Sequence, residues 1–203
     1  MSKHHYSYLA LGDSYTIGES VPLHDSFPYQ AIQLLRRAGH HFHAPEIVAK
    51  TGWTSVELAE HLLHNKLNEQ YDFVTLLVGV NNQYRGLEIE EFETDFNFLL
   101  RKAIHLSGEK PNHVIVLSIP DWGVTPFASS KDEKKISNEI NAFNSICMSV
   151  ATKLKTHFIN ITEETRKVKI DQSLLATDTL HYSGKEHAIW ASMVVEIVEE
   201  ILK

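Results

Sequence analysis

Short apolar runs alternate along this chain with longer stretches in which apolar residues recur every three or four positions. The runs predict buried strands and the periodic stretches predict amphipathic helices. The first strand is expected over 5–11, ending Tyr8-Leu9-Ala10-Leu11, and the second at Glu46-Ile47-Val48-Ala49. The third, Phe73-Val74-Thr75-Leu76-Leu77-Val78, is nearly unbroken, as in a strand covered on both faces. A fourth spans 113–119 and closes at Pro120, and Phe158-Ile159-Asn160 is a short fifth.

Between the strands, a helix is expected over 27–38 with Ile32, Leu35 and Ala38 inward, Pro28 in its first turn and Gly39 as its stop. Thr54 or Ser55 caps the next, with the stripe Leu58, Leu62, Leu63 and Leu67. The stretch 88–106 carries Ile89, Phe92, Phe96, Leu99 and Ala103. The stretch 132–154 carries Ile136, Ile140, Phe143, Cys147, Val150 and Leu154. Ser183-Gly184-Lys185-Glu186 has the spacing of a capping box and opens a last helix with Trp190, Met193, Val194, Ile197 and Ile201. Residues 120–131 read as an irregular loop, and the polar stretch from 160 to 179 leaves room for one short helical piece.

Five strands alternating with helices predict an α/β fold, a three-layer α/β/α sandwich on a five-stranded parallel sheet with flavodoxin-like strand order. One domain over residues 1–203 is expected. Right-handed crossovers bring the carboxyl ends of all strands to one edge, where such sheets form their crevice.

The polar residues that end the strands then acquire meaning. Ser14 follows the first strand, Gly52 the second, Asn81 and Asn82 the third, and Asp178 and His181 precede the last helix. Each alone has an ordinary reading: Gly52 as a turn glycine, Asn81-Asn82 as an Asx turn, Asp178 as a cap, His181 as a surface residue. Their convergence on one edge is what singles them out. A serine hydroxyl needs a base within hydrogen-bond reach to act as a nucleophile, and His181 is the candidate. An acid that fixes the imidazole tautomer completes the set, and Asp178 stands three residues earlier. The backbone N–H groups of Ser14 and Gly52 and the Asn81 amide are candidates for holding a tetrahedral oxyanion. His187 is a rival base whose helical setting favours a packing or surface role, and Asp13 is a rival acid better suited to shaping the turn before Ser14.

Gly12-Asp13-Ser14-Tyr15-Thr16 is not the Gly-x-Ser-x-Gly elbow of α/β-hydrolases, because Thr16 stands where that pattern has glycine. Gly12-Asp13-Ser14, Gly52, Gly79-x-Asn81 and Asp178-x-x-His181, in this order and spread over nearly the whole chain, resemble the four blocks of the SGNH (GDSL-type) hydrolases. The resemblance implies Ser14 as nucleophile, His181 as base, Asp178 as its partner, and Gly52 and Asn81 in the oxyanion hole. The third block departs from the family's usual Gly-x-Asn-Asp, since position 82 is Asn. What an acid there would contribute to hydrogen bonding or substrate contact is thereby in question.

The wall of the site is expected from loop residues at the same edge: Tyr15, Trp53, Asn82, Tyr84, Arg85, Trp122 and Phe127. Loop aromatics suit an acyl chain or the face of a sugar, although Trp53 and Trp122 are equally placed to pack against loop backbone. The expected activity is hydrolysis of short-chain acyl or acetyl esters through an acyl-enzyme. The alternatives are an acyltransferase or deacetylase acting on a carbohydrate or lipid with the same triad and, further off, a non-catalytic flavodoxin-like binding module.

Composition narrows the partners. The 203 residues carry a formal net charge of −7 without an evident basic face, so nucleic acid is not an expected partner; the small-molecule ester expected instead is what the resemblance implies. Cys147 is the only cysteine, which excludes an internal disulfide. His4-His5 and His40-His41-His43 lack the helical spacing of a zinc site and read as surface residues; no metal or cofactor is expected. No apolar run reaches transmembrane length and residues 1–20 lack the core of a secretory leader, so the cytoplasm is the default compartment. Nothing in the pattern fixes an oligomeric state.

Overall fold

The structure is a computed structural model that describes residues 4–203. Five strands, β1 (Tyr8–Gly12), β2 (Glu46–Ala49), β3 (Phe73–Leu77), β4 (Val114–Leu117) and β5 (His157–Ile159), form one parallel sheet in the order β2-β1-β3-β4-β5. This is the expected flavodoxin-like order. Leu11 lies between Val48 and Leu76, and Ile115 between Thr75 and His157. Leu9, Ala10, Leu11, Val74, Leu76, Val114, Ile115 and Val116 are fully buried, which is why the β1, β3 and β4 segments read as continuous apolar runs.

The main helices are α2 (Phe27–Arg37), α3 (Ser55–His64), α5 (Ile89–Leu106), α6 (Glu133–Leu154) and α8 (Gly184–Leu202). Strand order and right-handed crossovers send α2 to one face and α3, α5 and α6 to the other. The packing agrees, with α2 on α8 and α5 between α3 and α6. Phe27, Ala31 and Leu35 meet Trp190, Ala191 and Val194 in a buried seam. Each large side chain fully removed from water there contributes about 1.5–3 kcal/mol.

Departures from expectation lie at element ends. The first strand begins at Tyr8 rather than residue 5; Tyr6 makes only an isolated bridge to Phe42. Two one-turn helices, α1 (Ser14–Ile17) and α4 (Val80–Tyr84), start directly beyond β1 and β3. Thr54, not Ser55, caps α3, in a reciprocal box with Glu57. Leu63 points to solvent and Leu67 is only partly buried, so the stripe of that helix is narrower than its spacing suggests. The loop at 120–131 holds two 3-10 turns, and the segment from 160 to 179 holds α7 (Thr162–Thr165) and two more.

The capping box expected at Ser183 does not form. Ser183 makes no side-chain cap; its hydroxyl donates to the Ser173 carbonyl at 2.7 Å. Glu186 turns inward, where one carboxyl oxygen accepts from Trp190 Nε1–H at 2.8 Å and the other has no partner. A carboxyl so placed serves the helix interior rather than its end.

Candidate active site

The nucleophile candidate is placed by a tight turn. β1 ends at Gly12, where an added Cβ would collide with Thr16 Oγ1 and the Leu77 carbonyl, so only glycine lets β1 pass into α1 this closely beside β3. Asp13 caps α1, accepting the Tyr15 N–H at 3.0 Å. Ser14 is thus the first helical residue, 5% exposed at the carboxyl edge of the sheet. Asp13 is itself buried, and burial pushes its carboxyl up to about 7 against the backbone N–H groups of Tyr15 and Gly79. It is occupied as a turn-former, as expected.

His181 is positioned from both sides. Tyr182 anchors it, fully buried with its hydroxyl donating to the Asp121 carbonyl at 3.0 Å. Asp178 holds it locally: Oδ1 accepts the N–H groups of Leu180 and His181 at 3.0 and 2.9 Å, and Oδ2 lies 2.6 Å from His181 Nδ1. Burial works to raise the Asp178 carboxyl, but the Ser20 hydroxyl, the imidazole and the two amides overcome it and hold the group well below the usual carboxylate range. An ionised carboxylate only accepts, so Nδ1 carries the proton and Nε2 of the neutral ring is left as the acceptor. The Tyr15 ring packs edge-on against the imidazole, centroids 5.4 Å apart.

Ser14 and His181 line one cleft of about 190 Å³, together with Tyr15, Val80, Asn81, Tyr84, Trp122, Phe127 and Leu180. Trp122 is buried and its indole N–H donates to Gln83 Oε1 at 2.7 Å, while Tyr84 and Phe127 pack edge-on against it and remain half-exposed. None of the lining residues is Lys, Arg, Asp or Glu.

The β2–α3 loop is tied to α4 at several points. Asn81 Nδ2 donates to the Trp53 carbonyl at 2.9 Å, and Arg85, just past the end of α4, donates to the Gly52 carbonyl and pairs with Glu57 at 3.3 Å. Gly52 holds φ +83°, a conformation that favours glycine. Asn82 is buried and lies outside the cleft lining: its Oδ1 accepts the Ser55 N–H and its Nδ2 donates to Ser55 Oγ, which donates on to Asp95. Ser55 thus already has an acid partner, Asp95 of α5. An aspartate at 82 would compete with Asp95 for a single hydroxyl proton. Trp53 is not among the cleft residues either; its ring packs 4.8 Å from that of His61. Val80 and Leu180 were not singled out in the sequence, because a lone apolar residue in a turn carries no pattern.

His187 sits in the core at 1% exposure, its Nδ1 accepting the Phe27 N–H at 3.2 Å, and burial pushes it down to about 3. It is no base for Ser14. Among the described residues no group of three or more His, Cys, Asp or Glu side chains is arranged to hold a metal ion. No helix among them is long and apolar enough to cross a membrane.

The inward Glu186 has a consequence for stability. Burial pushes its carboxyl from an ordinary 4.5 up to about 7, while the Trp190 bond works the other way. Between those values the folded protein retains a proton that the unfolded chain has lost, so this group's contribution falls as pH rises. The stability of Glu186→Gln relative to wild type is therefore expected to climb between pH 5 and 8, by up to about 3 kcal/mol. Denaturant melts of both proteins at the two pH values read this difference, and the titrations of Asp13 and His187 cancel from it. A difference that is flat with pH would remove Glu186 as its source.

Comparison with known proteins accords with this fold. Among curated proteins none matches the chain. Solved structures share its fold over nearly their whole length. TesA is 19% identical with TM-score 0.71, covering 97% of this chain and 98% of that one. Axe2, an acetylxylan esterase from Geobacillus stearothermophilus, is 15% identical with TM-score 0.75, covering 95% and 94%. A lipase/acylhydrolase from Enterococcus faecalis is 16% identical with TM-score 0.74, covering 96% of each. Residues 10–189 match the sequence model of the GDSL-like lipase/acylhydrolase family, and the chain belongs to that family.

Proposed function

We propose that the protein is a serine esterase that cleaves small, uncharged carboxylic esters, with Ser14 as nucleophile, His181 as general base and Asp178 as its partner. The observation that carries this reading is the Asp178–His181 pair, locked at 2.6 Å, with its imidazole on the same cleft as Ser14. His181 Nε2 takes the Ser14 proton as Oγ attacks the ester carbonyl. The carbonyl oxygen becomes an oxyanion held by the N–H groups of Ser14 and Gly52 and by the Asn81 amide, each such donor contributing about 3–4 kcal/mol to the transition state. Collapse of the tetrahedral intermediate expels the alcohol, which takes the proton from His181. Water then enters, loses a proton to His181 and releases the acid.

The cleft argues for the substrate class. Its 190 Å³ is below the roughly 300–1,000 Å³ of sites that enclose drug-sized ligands. Its aromatic, charge-free lining suits a neutral acyl group. Acetyl and butyryl aryl esters are expected to be turned over faster than octanoyl and longer ones. Phe127→Ala, which removes a half-exposed wall residue, is expected to raise octanoyl turnover relative to acetyl by about tenfold. An acyl-chain-length series on both proteins tests this. A wild-type preference for long chains would contradict the small-ester reading.

A further inference from the structure

Ser20 lies on the loop that follows α1, with φ +66°, a left-handed conformation that disfavours any residue bearing a Cβ. Glycine would suit the backbone better. What serine adds is a hydroxyl, and that hydroxyl donates to Asp178 Oδ2 at 2.6 Å. The same oxygen accepts from His181 Nδ1, while Oδ1 takes the N–H groups of Leu180 and His181. The Asp178 carboxylate is thereby held by four donors, of which Ser20 alone comes from a distant part of the chain. The neighbouring Glu19 carboxylate accepts the Thr51 hydroxyl, so the loop carrying Ser20 is fastened also to the segment before Gly52.

We propose that Ser20 is a positioning residue for the reaction, holding the Asp178 carboxylate in the orientation and charge distribution that His181 requires. The inference rests on the Ser14–His181–Asp178 reading above. Its physical content is a division of negative charge. A hydroxyl donating to Oδ2 draws off part of the charge that would otherwise act on the imidazolium, and it stops the carboxylate from rotating away from Nδ1. The other titratable groups facing this pair are Tyr15 from α1 and His187 from α8. Burial raises the Tyr15 phenol well above its ordinary range and lowers His187 to about 3, so both stay neutral near pH 7. A change at Ser20 is then read by His181 without a third charge moving.

Two substitutions separate this role from a merely structural one. Ser20→Gly suits the backbone but removes the hydroxyl. Ser20→Thr keeps the hydroxyl but places a β-branched residue at positive φ. Ser20→Gly is expected to shift the NMR titration of the His181 imidazole upward by about half a pH unit, and to lower kcat about tenfold with KM little changed. Ser20→Thr is expected to lower Tm while His181 titration and kcat stay at wild-type values. The inference is overturned if Ser20→Gly leaves both the titration and kcat unchanged, or if Ser20→Thr disturbs them as much as Ser20→Gly does. The titration needs no ester turnover, so failure of the esterase reading and failure of the Ser20 role are told apart.

Discussion

Ser14→Ala is expected to reduce ester turnover to background, a loss of about a millionfold, with the fold intact. The size follows from the mechanism proposed above, in which the triad members act as a unit: without Oγ no acyl-enzyme would form, and His181 and Asp178 would have nothing to activate. The intact fold follows from the structure. Asp13 makes the cap of α1 and Gly12 makes the close passage beside β3, and neither depends on the Ser14 hydroxyl. Loss of one small buried hydroxyl leaves a cavity smaller than a methyl deletion, so Tm is expected within a few degrees of wild type. Turnover of an acetyl aryl ester and a thermal melt on the same sample check both halves. Residual turnover within tenfold of wild type would remove Ser14 as nucleophile.

Asp178→Asn is expected to lower kcat/KM by about 10³–10⁴-fold. The asparagine has nearly the same shape and keeps an oxygen for the N–H groups of Leu180 and His181. It replaces the acceptor facing His181 Nδ1 by an amide that can present N–H, which favours the tautomer with its proton on Nε2, toward the cleft. In the proposed mechanism His181 would then be protonated where it must accept. The imidazolium also loses its counter-charge, so the His181 titration is expected to move to lower pH in this variant, opposite in sign to Ser20→Gly. A pH series of kcat/KM together with the NMR titration checks the sign. A rate loss under tenfold would place the acid elsewhere.

Much of this architecture was legible before any coordinates. The unbroken run of β3 and the shorter ones of β1 and β4 announce strands buried on both faces, and alternation with helices then leaves few topologies. The same logic put Ser14, Gly52, Asn81, Asp178 and His181 on one edge, because each stands just beyond a strand or just before the last helix. What escaped the sequence depends on partners far away in the chain. Ser183 and Glu186 have the spacing of a capping box, yet the hydroxyl is captured by Ser173 and the carboxyl by Trp190. Trp53 and Asn82 stand at the right edge, but their side chains turn toward His61 and Ser55 rather than into the cleft. Leu63 fits the helical period, yet no element covers it. Ser20 has no local signal at all, since nothing between residues 14 and 26 foretells a bond to Asp178. Local pattern fixes which elements form; which tip residues meet is decided by the packing of loops.

The central claim is that the Ser14 hydroxyl is an activated nucleophile on this cleft. Incubation with a fluorophosphonate followed by peptide mass spectrometry tests it most directly, since only a serine with a working base and oxyanion donors reacts quickly. The account expects one phosphonyl adduct, on the peptide containing Ser14, with labelling greatly slowed in His181→Ala. An unlabelled protein, or an adduct on another residue with Ser14 unmodified, would contradict it.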